Sequence, residues 1–231
     1  MSEVATSTNK QRTIIYIDGF NFYYGSLRKT QYKWVDPLLL CQNMLNASHD
    51  FIGLKYFSAK VSNTPDDLSK STRQQIYYRA LKTIPNAEII LGHFSVHHVK
   101  MRLVQAIEYD FEVPFSGRTQ SRRIEEVEVV KFEEKGSDVN LASEMLIDGF
   151  NNAFDVAVLI SNDSDLEKPV KHLKSVLKKK VIILNPHEKK SIQLAKQSTF
   201  SKDITEEYLK NSLFSDELAD AKGKFRKPQS W

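Results

Sequence analysis

Only one cysteine stands among the 231 residues, and no apolar run approaches the roughly 18 residues of a membrane-spanning helix. Cys41 therefore has no partner for an internal disulfide, and no Cys/His spacing resembles a zinc site. A reducing, cytoplasmic home without a membrane is expected. With 8 glycines and 7 prolines, neither a collagen-like fibre nor a low-complexity chain fits. Residues 1–12 are polar and lack the apolar stretch of a secretory signal, so they read as a disordered leader. No internal repeat is visible. The apolar share of 41% and charged share of 27% suit a folded α/β domain. Charge of one sign is scarce as well: 33 basic residues face 29 acidic ones, a net +4 that is only a weak pointer to nucleic acid.

What is present is alternation. Short β-branched runs at 13–17, 51–59, 87–91, 156–161 and 180–184 have the character of strands buried on both faces. Helical patterns at 66–84, 137–150 and 166–177 lie among them. This order predicts an α/β fold, a Rossmann-like three-layer sandwich around a mainly parallel sheet. Residues 93–134 break the alternation and read as an inserted β-hairpin or arm, with a loop at 116–123 that carries Arg118, Arg122 and Arg123. A solvated turn outweighs a nucleic-acid contact for these arginines. A last helix is expected over 205–219, inside a C-terminal segment of 205–221, ahead of a basic tail at 222–231. That tail holds Lys222, Lys224, Arg226 and Lys227 without an acid, so it equals the whole net charge of +4. It is expected either to add non-specific phosphate affinity or only to aid solubility.

In open α/β sheets ligands bind at the carboxyl ends of the strands. The first strand runs into Asp18-Gly19-Phe20-Asn21, and the strand at 156–161 runs into Asn162-Asp163-Ser164-Asp165. On the helix at 137–150, Leu141, Ala142, Met145 and Gly149 form a packing stripe, and Asp138 falls on the same face in the first turn. Glu144 and Asp148 fall off it and read as solvated. Each of the three aspartates has a local explanation: a turn for Asp18, a helix cap for Asp163, dipole complementation for Asp138. Three such carboxylates at one sheet edge are better explained by a hard cation, Mg²⁺ or Mn²⁺. That chemistry suits phosphodiester hydrolysis, in which metal-activated water needs no protein nucleophile. Tyr23, Tyr24, Phe20 and Phe22 beside Asp18 are either base-stacking platforms or core. His93, His97 and His98 read as sheet surface, and Cys41 as core.

Ile17-Asp18-Gly19-Phe20-Asn21-Phe22-Tyr23-Tyr24-Gly25, Glu134-Lys135-Gly136-Ser137-Asp138-Val139-Asn140-Leu141-Ala142 and Ile160-Ser161-Asn162-Asp163-Ser164-Asp165-Leu166 together resemble the NYN domain family, PIN-like nucleases and here their bacterial LabA-like branch. The resemblance runs from about residue 13 to 200, with the domain expected over 13–204. It implies a PIN-type fold and a metal-dependent endoribonuclease. In that reading Asp18, Asp138 and Asp163 hold Mg²⁺ or Mn²⁺, and Asp165 assists water. Asn21 matches a polar residue that orients the first-strand loop, and Ser161 the small hydroxyl residue before the last acidic pair; both are expected to position substrate. Lys135 is either a phosphate contact or an exposed turn lysine. The implied partner is RNA, with transfer RNA, other single-stranded nucleic acid and homo-oligomerisation left open. The rival is an RNA-binding or assembly module that keeps the acidic pocket without turnover.

Overall fold

The computed structural model describes residues 10–231. Most of the expected leader lies outside the described residues. Its end does not: Gln11 and Arg12 already belong to the first strand, and Arg12 pairs with Asp155 at 2.8 Å.

The described residues form two units, 10–93 with 136–231, and 94–135. In the larger unit the strands are β1 (Gln11–Asp18), β2 (His49–Ala59), the start of β3 (Ala87–Val113), β5 (Val156–Ile160), β6 (Lys180–Asn185) and β7 (Phe200–Asp203). They pair in parallel in the order β3-β2-β1-β5-β6-β7. The helices are α1 (Gly19–Phe22), α2 (Pro37–Met44), α3 (Lys70–Leu81), α4 (Ser137–Phe150), α5 (Glu167–Ser175), α6 (Ile192–Gln197) and α7 (Glu206–Lys210). β4 (Arg118–Lys135) lies in the smaller unit.

The pleat of β1 shows why a three-layer sandwich results. Ile15 and Ile17 pack into one core with Leu40 of α2, Leu81 of α3 and Leu209 of α7. Ile14 and Tyr16 point the other way, into a second core with Leu141 of α4, Val170 of α5 and Leu194 of α6. Alternating side chains on a strand reach opposite faces, so a strand apolar on both needs helices on both. Cys41 is fully buried in the first core, and burial pushes its thiol pKa well up.

The chain moves outward from β1 to β2 and β3, then returns to the other side of β1 with β5. The order reverses between β1 and β5, and a crevice opens there at the strands' carboxyl ends.

The smaller unit is the inserted hairpin: β3 continues to Val113, turns through 114–117 and returns as β4. Arg118, Arg122 and Arg123 therefore lie in strand β4, since the loop expected at 116–123 is only this tight turn. The hairpin exposes Val104, Ile107, Phe115 and Phe132.

The C-terminal helix is shorter than the pattern predicts. After α7 the chain is captured by long-range pairing: Val35 bridges Leu213, Phe214 N–H donates to Trp34 O at 3.1 Å, and Trp34 Nε1 donates to Ser215 O at 2.9 Å. Residues expected as the rest of that helix and a basic tail form an antiparallel pair, β8 (Glu217–Asp220) and β9 (Gly223–Arg226). Gly223 sits at φ +105°, a conformation that its lack of a Cβ permits. The tail is not a free basic arm. Lys224 and Arg226 pair with Glu217 at 2.8 and 2.9 Å, Phe225 is buried, and Trp231 packs edge-on against Trp34.

Candidate active site in the acidic crevice

Asp18 ends β1 and caps α1, its Oδ1 accepting the Asn21 N–H at 2.9 Å. Its other oxygen accepts the Ser161 hydroxyl at 3.1 Å. The register sets this contact: Ile17 stands opposite Ile160 across the β1–β5 pair, so the next residues, Asp18 and Ser161, meet where both strands end. Ser161 is fully buried, and its Oγ also accepts the Asp163 N–H at 3.1 Å. Asn21 joins the two loops a second time, its Oδ1 accepting the Asn162 N–H at 2.9 Å. Asn162 carries the link onward to the loop after β6, donating to Lys189 O at 2.8 Å and accepting the Ser191 N–H at 2.6 Å. Asn21 and Ser161 thus stitch the two acidic loops together. Asn162 is a third stitch, and no spacing in the sequence marks it.

Asp163 caps a single 3₁₀ turn (Ser164–Leu166) by accepting the Asp165 N–H at 3.0 Å. Asp165 is exposed, and Asp138 is exposed in the first turn of α4. The carboxylate that loses its water is Asp18, only 5% exposed. Burial pushes its pKa up to about 6, with the negative charges of Asp138 and Asp163 adding to the rise and the Asn21 and Ser161 hydrogen bonds opposing it. The cost of placing a charge on a packing face, which the sequence assigns to Asp138, is borne by Asp18 instead.

Among the described residues no three Asp, Glu, His or Cys side chains stand close enough together to hold a metal ion. Both oxygens of Asp18 accept hydrogen bonds within the protein, from Asn21 and Ser161. In donor chemistry the residues do suit a hard divalent cation: Asp138 and Asp163 act electrostatically on a buried carboxylate, and a positive charge relieves that repulsion.

Other expected residues fall elsewhere. Phe22 is buried core, whereas Tyr23 is partly exposed and Tyr24 is 51% exposed. Lys135, Arg118, Arg122 and Arg123 belong to the hairpin, where Lys135 pairs with Glu133 at 2.9 Å and Arg123 with Glu125 at 2.9 Å. Glu144 and Asp148, expected to be solvated, are tied down by Lys55 at 2.7 Å each, and Tyr16 Oη donates to Asp148 at 2.6 Å. The second face of α4 is therefore a polar contact with β1 and β2, which periodicity alone does not reveal.

The model of the NYN domain matches residues 12–204, most of the chain and all of the elements that build the crevice. The chain belongs to the NYN domain family. This NYN domain is 35% identical over 176 residues to a protein named 6-hydroxy-3-succinoylpyridine 3-monooxygenase HspA, from Pseudomonas putida. The match takes in 67% of this chain and 53% of that protein, so the chain spans about half the length of its curated relative. Its fold is similar to the crystal structure of VPA0982, a Vibrio parahaemolyticus protein of unknown function, with a TM-score of 0.55 at 17% identity over 93% of this chain and 99% of that one. This NYN domain has the PIN-like nuclease fold of its family. None of the helices described is long and apolar enough to cross a membrane.

Proposed function

We propose that this NYN domain is a metal-dependent endoribonuclease. One observation carries the reading: a buried carboxylate, Asp18, sits at the sheet's switch point under the charge of Asp138 and Asp163. A buried charge held among like charges is costly, and such perturbed carboxylates mark functional clefts. Asp18, Asp138 and Asp163 are the residues that would hold Mg²⁺ or Mn²⁺. The cation supplies Lewis-acid stabilisation and a more acidic water when bound. The chain's own part is positional. Asn21 and Ser161 keep the acidic loops in register, and Asp165, exposed beside Asp163, orients the attacking water and accepts its proton. Exposed Arg118 and Arg122, with Lys135 and Arg123 once released from their glutamates, serve as phosphate contacts. RNA is the substrate class that the family supports, and transfer RNA or another single strand fits the reading.

The test is incubation of mixed RNA with Mg²⁺ or Mn²⁺, with and without chelator, using wild type and Asp163→Asn. The expected result is chelator-sensitive cleavage, reduced at least about 100-fold in the variant, as for loss of a group that orders transition-state charge. Equal persistence of RNA with both proteins in both metals sinks the enzyme reading. The absence of a ready three-carboxylate cage among the described residues favours the rival, an RNA-binding module without turnover. Salt-sensitive RNA binding without cleavage is its signature.

A further inference from the structure

Gly19, the residue after Asp18, lines a cavity of about 80 Å³, well above the 10–15 Å³ that one water needs. Its walls come from the segment after β1 (Phe20, Tyr23, Tyr24), from β2 (Tyr56) and from α3 (Tyr77), and Trp231 lines it as well. Gly19 is what brings crevice and cavity together. A Cβ there would lie 2.6 Å from Tyr56 Cε1 and 2.7 Å from Phe57 O, so only glycine lets the Asp18 turn rest against the Tyr56 ring.

Two polar groups in this aromatic box lack partners. Tyr56 is 5% exposed, and its hydroxyl makes no hydrogen bond among the described residues. Lys70, at the start of α3, lines the cavity and makes no ion pair among them. A tyrosine hydroxyl that lines a cavity without a protein partner is a place where a ligand supplies one. Aromatic walls, a hydrogen-bonding edge group and a basic lining, of which Lys33 donates to Thr30 O, Arg73 pairs with Asp67 and Lys70 makes no ion pair among the described residues, define the complement: a flat heteroaromatic ring bearing ring nitrogens or a carbonyl, attached to an anion.

We propose that this cavity is a base-binding subsite, taking the nucleobase next to the cleaved phosphodiester, with Tyr56 Oη on the base edge and Lys70 on a flanking phosphate. The proposal rests on the nuclease reading and adds to it a preference at one nucleotide. The base stacks on Tyr24, half exposed at the mouth, while Trp231 forms part of the wall.

The experiment is calorimetric titration of the full chain, in chelator-containing buffer so that cleavage plays no part, with AMP, CMP, ribose 5-phosphate and nicotinic acid. The expected result is measurable binding of at least one of the two nucleotides and none of ribose 5-phosphate. Tyr56→Phe, which keeps the ring, should weaken it roughly 2- to 10-fold, the range of one neutral hydrogen bond. Tyr24→Ala should weaken it about 10-fold or more. Equal binding of AMP and ribose 5-phosphate, or no binding of either nucleotide, overturns the subsite. Binding of nicotinic acid alone also overturns it, in favour of a small free heterocycle. Nucleotide binding that survives in a protein unable to cleave RNA supports the subsite while sinking the nuclease reading. Cleavage without nucleotide binding does the reverse.

Discussion

Removing residues 222–231 separates two views of the C-terminal segment. As a basic arm, the segment matters through charge, and its loss leaves the fold intact. In the folded protein it is a clasp. Phe225 is 9% exposed, and burying a phenylalanine contributes about 1.5–3 kcal/mol. Trp231 adds its own burial and two ring contacts, with Trp34 at 6.3 Å and Tyr77 at 5.8 Å, each worth about 0.5–1.5 kcal/mol. Phe225 and the two ring contacts together contribute about 2.5–6 kcal/mol, a large part of the roughly 5–15 kcal/mol of a typical domain. The assay is urea unfolding followed by far-UV circular dichroism at low and high salt. Beside the truncation goes a full-length variant with Lys222, Lys224, Arg226 and Lys227 all changed to Gln. Truncation should lower the midpoint sharply at both salt concentrations, and the charge variant should stay near wild type, because exposed pairs contribute little. A truncated chain as stable as wild type refutes the clasp. So does a destabilisation shared by both variants that high salt abolishes.

Gly19→Ala should cost about 1–3 kcal/mol in urea unfolding through overpacking against Tyr56 and the Phe57 carbonyl, and an unchanged midpoint contradicts that contact. Lys55→Met removes the cation shared by Glu144 and Asp148 and should destabilise by about 2–3 kcal/mol, recovered in part by adding Asp148→Asn; a double variant no better than the single one argues against the network. Asp220 grips Arg79 through two contacts of 2.6 Å, which holds its pKa down at about 2. The folded value lies below the ordinary 3.8, so this stabilisation is present above pH 3.8 and fades as pH falls toward 2. Asp220→Asn should flatten that part of the stability–pH curve. Cys41 should resist thiol reagents in the native protein and react fully on unfolding, and ready native labelling contradicts its burial.

The sheet and its two layers of helices were legible because a strand apolar on both faces, such as Ile14 to Ile17, has no stable home except between helices. Asp18, Asp163 and Asp138 were legible for a related reason: a parallel strand delivers whatever follows it to one edge, and α4 starts with Asp138 in its first turn. These are local rules, and sequence carries them. Long-range contact decided the rest. Residues 211–219 are expected to continue the last helix, yet Trp34 and Val35 capture Leu213, Phe214 and Ser215 through long-range bonds. Lys224 and Arg226 look like a solvated arm until Glu217 stands across the hairpin from them. Asp148 looks solvated until Lys55 and Tyr16 reach it from the sheet. Which carboxylate pays the desolvation penalty, Asp18 and not Asp138, depends on the register of β1 against β5. Burial and partnership are properties of the assembled chain, and no window of sequence contains both halves of a contact made across it.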